Sequence, residues 1–128
     1  MLSKEEFQLH TQGTVLLDGA TGSNLQKVGM PRGCCTEEWI LANPQPLVAL
    51  QRSYADAGCQ IIYTPTFQAQ PIALERVKLH NQTETVNAHL TALTRSAAPD
   101  AIVAGDLTTL AAFMDSKDPD NFDSMVQN

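Results

Sequence analysis

Residues 47–67, LVALQRSYADAGCQIIYTPTF, carry the pattern that decides the fold class. Leu47, Leu50, Tyr54 and Ala57 recur at helical spacing, which predicts an amphipathic helix over 47–57. Gly58 is placed to end it. The run QIIYTPTF at 60–67 then reads as a strand. Pro65 has no amide N–H, so it belongs at or past the last ladder position of that strand.

The same alternation continues outward in both directions. Toward the N-terminus, the β-branched and apolar run at 14–17 (TVLL) predicts a strand that stops at Asp18-Gly19. Toward the C-terminus, AIVA at 101–104 predicts a third strand, ending at Gly105-Asp106. Helical patterns lie between and before them, at 3–12, from Thr36 with Thr36 as cap, at 71–79 and at 83–97, where Val86, Leu90 and Leu93 share a face. Residues 20–35 contain Pro31 and several glycines and read mostly as loop, Pro44 and Pro46 punctuate the chain before residue 47, and 107–128 have a weak pattern with a polar end. Strands alternating with helices imply βαβ units and a parallel sheet. The short, wholly apolar strands are those expected when both faces are covered.

Composition narrows the function. The 128 residues hold eight basic and fourteen acidic side chains, a net charge of −6 and a pI near 4.8. An acidic chain argues against a reader of nucleic-acid backbones, which needs a basic face, and against docking on anionic lipid. The sequence contains no apolar run of transmembrane length. Its start, MLSKEEFQLH, lacks the basic-then-apolar pattern of a signal peptide. Three cysteines close no disulfide framework, and a reducing, cytoplasmic location is the expectation.

The candidate site residues all follow predicted strand ends, where α/β folds bind ligands. In Asp18-Gly19-Ala20-Thr21-Gly22-Ser23, glycines let the backbone approach a ligand, free amides can hold a carboxylate, and Asp18 can hold an ammonium. The same residues also make an ordinary βα turn. The segment is neither GxGxxG nor a P-loop. Thr64 and Thr66, two apart on an extended chain, face one side and can hydrogen-bond a small polar ligand; strand propensity accounts for them equally. Cys34 and Cys35 are adjacent, without the spacing of a structural zinc site, and Cys59 opens the second strand at the other edge of the sheet, so no metal site is expected from this trio. His10, His80 and His89 read as surface residues, and no Ser or Cys pairs with a His and an acid.

Together, DGATGSNLQ at 18–26, EEWILANPQPLVALQRSYADAGCQIIYTPTF at 37–67, Leu74-Glu75-Arg76, the helix around Asn87 and Val103-Ala104-Gly105-Asp106 resemble the start of the homocysteine S-methyltransferase family. That family includes the N-terminal module of cobalamin-dependent methionine synthase and the betaine–homocysteine methyltransferases. The resemblance spans roughly residues 12–108 and rests on the order and spacing of its motifs.

The resemblance implies a zinc-dependent (β/α)8 TIM barrel that methylates the zinc-bound thiolate of homocysteine to give methionine. It implies that Asp18 receives the amino group of homocysteine, that Gly19 and Ala20 offer amides to its carboxylate region, that Thr64 helps bind that carboxylate with Thr66 nearby, and that Asp106 lines the same mouth. A whole barrel takes about 250 residues, so residues 1–128 are expected to be its first three strands, a truncated N-terminal part. The family's three cysteine ligands to zinc would fall beyond Asn128, and no metal or other cofactor is expected in this chain itself. Homocysteine is the expected small-molecule partner. A missing barrel half, a second copy of the chain, and corrinoid or folate modules in a longer protein are further expectations; the methyl donor is left open. Pro65 stands where many members have Asn, and Thr108-Thr109 where many have Gly-Pro. The competing expectation is a non-catalytic small α/β domain that self-assembles or binds a partner through its open sheet edges.

Overall fold

The computed structural model describes residues 2–109. Six α-helices lie among them: α1 (Lys4–His10), α2 (Gly22–Lys27), α3 (Thr36–Ala42), α4 (Pro44–Asp56), α5 (Pro71–Leu74) and α6 (Thr83–Ala97). The strands are β1 (Ile61–Tyr63) and β2 (Ile102–Ala104), which pair in parallel with Ile61 opposite Ile102 and Tyr63 opposite Ala104. The predicted strand at 14–17 survives as a single parallel bridge from Leu17 to Ile61. Among the described residues it is held on one side only: the Gln60 and Ile61 amides both donate to Leu16 O, at 2.9 and 3.3 Å, and the Asp18 amide donates to Ile61 O at 3.1 Å. The three segments therefore lie side by side in chain order, all parallel, as the alternation predicts.

The second strand is shorter than its apolar pattern suggests. It ends at Tyr63, and the Thr64 amide makes one more bond, to Ala104 O at 2.8 Å. Pro65 has no donor to extend the ladder, so the chain turns away and carries Thr64–Phe67 out of the sheet.

The core lies among the helices and beneath the sheet. Leu25, Ile40, Leu47, Leu74 and Leu90 have no exposed surface and pack with Met30, Ala69 and Val86. Ile62 is fully buried, whereas Leu17 is 50% and Tyr63 39% exposed, and β2 is half-buried throughout. Adjacent Ile61 and Ile62, whose side chains point to opposite faces, are both buried, so the expected cover on both faces is present at the centre of the sheet in β1 and incomplete at Leu17, Tyr63 and β2 among the described residues.

Local sequence explains most boundaries. Ser3 caps α1 in a reciprocal box with Glu6, with bonds of 3.1 and 2.7 Å. Pro44 and Pro46 sit in the first turn of α4, where a missing N–H costs nothing, so the helix begins ahead of the predicted residue 47. Gly58, at φ +96°, terminates α4 as expected; its amide reaches back to Ala55 O at 2.9 Å. The predicted helix at 83–97 forms in full. The one predicted at 71–79 breaks into α5, a 3-10 turn at Glu75–Val77 and a left-handed Lys78 (φ 59°).

Two local expectations are corrected. The stretch at 20–35 contains α2, because fully buried Leu25 anchors a turn of helix that the glycines around it obscure. Thr36 is the first residue of α3 rather than its cap; Cys35 takes that position and makes no side-chain capping bond. Residues 110–128 of the weakly patterned end lie outside the described residues. No described helix is long and apolar enough to cross a membrane.

Candidate functional site

The ends of the three parallel segments converge on one open cavity of about 600 Å³, lined by Asp18, Gly19, Tyr63, Thr64 and Asp106 from the strand ends and by Cys34, Glu37 and Arg76 from the surrounding helices and loops. Of the residues singled out from sequence, Asp18, Gly19, Thr64 and Asp106 line it directly. Ala20 and Thr66 are not among its lining residues: the Ala20 carbonyl is bonded to Tyr54 and Asn24, and the Thr66 hydroxyl to Thr64 and Asp106.

Asp18 is half-buried. Burial pushes its carboxyl above the usual range, the nearby charge of Asp106 acts in the same direction, and hydrogen bonds from the backbone N–H groups of Tyr63 and Asp18 itself pull it down. A carboxylate so placed gains from an arriving cation, because an ammonium would supply the charge that desolvation has left uncompensated.

Gly19 is required by packing. A Cβ built there would lie 2.9 Å from Tyr54 Oη and 3.1 Å from its Cε1. The ring is held in place because Tyr54 Oη donates to Ala20 O at 3.0 Å and accepts from Asn24 Nδ2 at 3.1 Å. Asn24 Nδ2 also reaches Ala20 O, at 2.7 Å. The Ala20 carbonyl is therefore occupied by the fold.

Thr64 and Thr66 are buried, at 3% and 5% exposure, and their hydroxyls lie 2.7 Å apart. Thr66 gives its single hydroxyl proton to Asp106 O at 2.9 Å. The bond between the two threonines is then donated by Thr64. Both protons are thus spent within the protein, that of Thr64 inside the loop after β1 and that of Thr66 in tying it to the loop after β2, and the Asp106 amide adds long bonds to both oxygens, 3.4 Å each.

Sequence reading missed Glu37. Taken only as an acidic residue at a helix start, it is 2% exposed and turned inward. Its Oε1 accepts the Gln68 amide at 2.8 Å and its Oε2 lies 3.5 Å from Cys35 Sγ. A signal was present: Glu37 stands three residues before buried Ile40 and so falls on the same face of α3. Arg76, noted only as part of a motif, lines the cavity as well.

The thiols do not suit the zinc that the resemblance implies. Cys34 donates to Pro31 O at 3.1 Å and Cys59 to Leu17 O at 3.2 Å, before the start of β1 rather than at its cavity end. Burial pushes the Cys35 thiol up, away from the thiolate a metal needs, and Glu37 adds to this. Among the described residues no three His, Cys, Asp or Glu side chains are grouped to hold a metal ion.

Comparison with known proteins bears on this arrangement directly. The sequence profile of the family described as homocysteine S-methyltransferase matches residues 15–128. The fold is similar to that of the homocysteine methyltransferase MmuM from Escherichia coli. With its metallated form the TM-score is 0.72 at 25% identity, over 84% of this chain and 42% of that one. With its oxidized form the TM-score is 0.69 at 25% identity, over 89% and 43%. The chain thus spans less than half the length of these structures. No match was found among curated proteins. The parallel segments, the cavity at their ends and the match over nearly the whole sequence lead to one assignment: the chain belongs to the homocysteine S-methyltransferase family.

Proposed function

We propose that residues 1–128 are the N-terminal part of a homocysteine-binding (β/α)8 barrel, contributing its first three strands and the subsite for the amino-acid end of the substrate. The observation that carries this reading is the convergence of Asp18, Thr64 and Asp106 on one cavity beyond adjacent parallel strand ends. Asp18 takes the ammonium group. Gly19 and Ala20 bring backbone amides to the carboxylate region, Thr64 borders it with Thr66 behind, and Asp106 closes the mouth. In the whole protein the thiolate sulfur of homocysteine attacks a methyl group, forming the S–CH3 bond as the donor departs. This chain's part is to bind and orient the nucleophile's amino-acid end. No step at the sulfur is assigned to the described residues, since their thiols form no metal-binding group. Free Cys34, Cys35 and Cys59 support a reducing, cytosolic setting.

The alternative, a small non-catalytic domain that assembles through open edges, draws on exposed Leu16, Leu17 and Tyr63. The placement of half-buried Asp18 in the cavity favours the substrate reading.

Binding by this subsite alone is weak. A few hydrogen bonds at about 0.5–1.5 kcal/mol each, or up to about 3 when charged, must offset about 4 kcal/mol or more of lost translational freedom. The expected dissociation constant for L-homocysteine is millimolar at best. Titration of the 15N-labelled chain tests this: amide shifts should cluster at Asp18–Ala20, Thr64 and Asp106, L-methionine should bind equally well, and Asp18→Ala should abolish both. Shifts spread over other surfaces, or none at all, would overturn the reading.

A further inference from the structure

We propose that Arg76 anchors the α-carboxylate of the ligand and makes the cavity select an amino acid over the corresponding amine; this deepens, and rests on, the reading of the cavity as the homocysteine subsite. Two independent observations carry it. The first is the proton count at the threonine pair. Thr66 donates to Asp106 O and Thr64 donates to Thr66, so neither hydroxyl has a proton left for an incoming carboxylate. The second is the distribution of charge. The cavity is lined by three acids, Asp18, Glu37 and Asp106, and among the described residues lining it Arg76 is the sole cation.

A zwitterion needs both signs of charge. Asp18 and Asp106 follow strand ends, whereas Arg76 comes from the 3-10 turn Glu75–Val77 in the helical layer. Ammonium and carboxylate can therefore be met from two different layers. Arg76 already interacts within the protein, but a guanidinium carries five N–H donors in a planar fork and can serve a protein group and a ligand carboxylate together. Without it, a carboxylate entering a cavity with three acids meets repulsion, and the backbone amides near Gly19 would have to offset that alone.

The test compares L-homocysteine with 3-aminopropane-1-thiol, which keeps the amine and thiol but lacks the carboxylate. Dissociation constants are read from the Asp18–Ala20 amide shifts of the wild-type chain, Arg76→Gln and Arg76→Lys, with thermal melts as the control for folding. The wild type should prefer the amino acid by about tenfold or more, the scale of one charge-assisted bond. Arg76→Gln should lose that preference while its affinity for the amine stays within about twofold, and Arg76→Lys should keep part of it. An Arg76→Gln chain that retains the preference would overturn the anchor and leave the subsite reading standing. Binding of neither ligand by the wild type would overturn both.

Discussion

Tyr54 and Gly19 approach so closely that glycine's single hydrogen is all the space between them admits, with Tyr54 Oη 2.9 Å from where a Cβ would stand. The contact joins the third turn of α4 to the loop carrying Asp18. Gly19→Ala should cost about 1–3 kcal/mol through overpacking. Replacing Tyr54 with Phe removes the closest atom and releases the ring from Ala20 O and Asn24. The Gly19→Ala penalty should therefore be smaller in a Tyr54→Phe background, which a double-mutant cycle by urea denaturation measures. Equal penalties in both backgrounds would contradict the contact.

Asp18 links stability to pH. Its carboxyl is raised by burial, with Asp106 adding to the effect. The fold therefore favours the neutral form. That contribution is fully present below the unfolded value, about 3.9, and is lost as pH rises through the raised folded value. Asp18→Asn stays neutral and can still accept from the Tyr63 amide, so its stability relative to wild type should be higher at pH 7 than at pH 3. Denaturant midpoints at the two pH values check this, and a difference running the other way would refute it.

Glu37 acts as a clamp between α3 and the loop after β1. Glu37→Ala leaves the Gln68 amide without its acceptor and should cost about 1–3 kcal/mol. Glu37→Gln keeps an acceptor oxygen and should recover most of the loss. The Gln68 amide should exchange with solvent much faster in the alanine variant alone; unchanged protection there would mean that another group holds the loop.

Tight zinc binding is not expected of this chain. Cys34, Cys35 and Cys59 each spend their thiol on a different partner. Metal analysis after dialysis without chelator should find zinc well below stoichiometric, and about one tightly held ion per chain would overturn the expectation.

The fold was legible where a single physical signal dominated. The helical spacing of Leu47, Leu50 and Tyr54, the stop at Gly58 and the apolar runs around Ile61 and Ile102 each have one structural solution. Legibility failed where tertiary contacts override local signals. Buried Leu25 makes a helix in a segment that looks like a loop, and Pro65 cuts short a strand that its neighbours would extend. At the site, Asp18, Gly19, Thr64 and Asp106 were readable from their position after strand ends. The spacing of Glu37 to Ile40 signals its inward face, but its bond to the Gln68 amide and the place of Arg76 at the cavity were not readable, because residue type and local pattern say nothing about which distant loop a charged side chain will meet.

The lone bridge at Leu17 sets the order in which the molecule comes apart. Among the described residues Ile61 has paired neighbours on both sides, whereas the segment ending in Asp18 hangs on a few bonds to one neighbour and contributes half-exposed Leu16 and Leu17. Opening it exposes little new apolar surface, so it should detach at far lower free energy than the whole fold. Deuterium should accordingly enter the Asp18 amide long before that of Ile62. A ligand gripping Asp18 must pull this loose segment shut, so part of its binding energy is spent on ordering the chain. The gain should appear first as slowed exchange at residues 16–18.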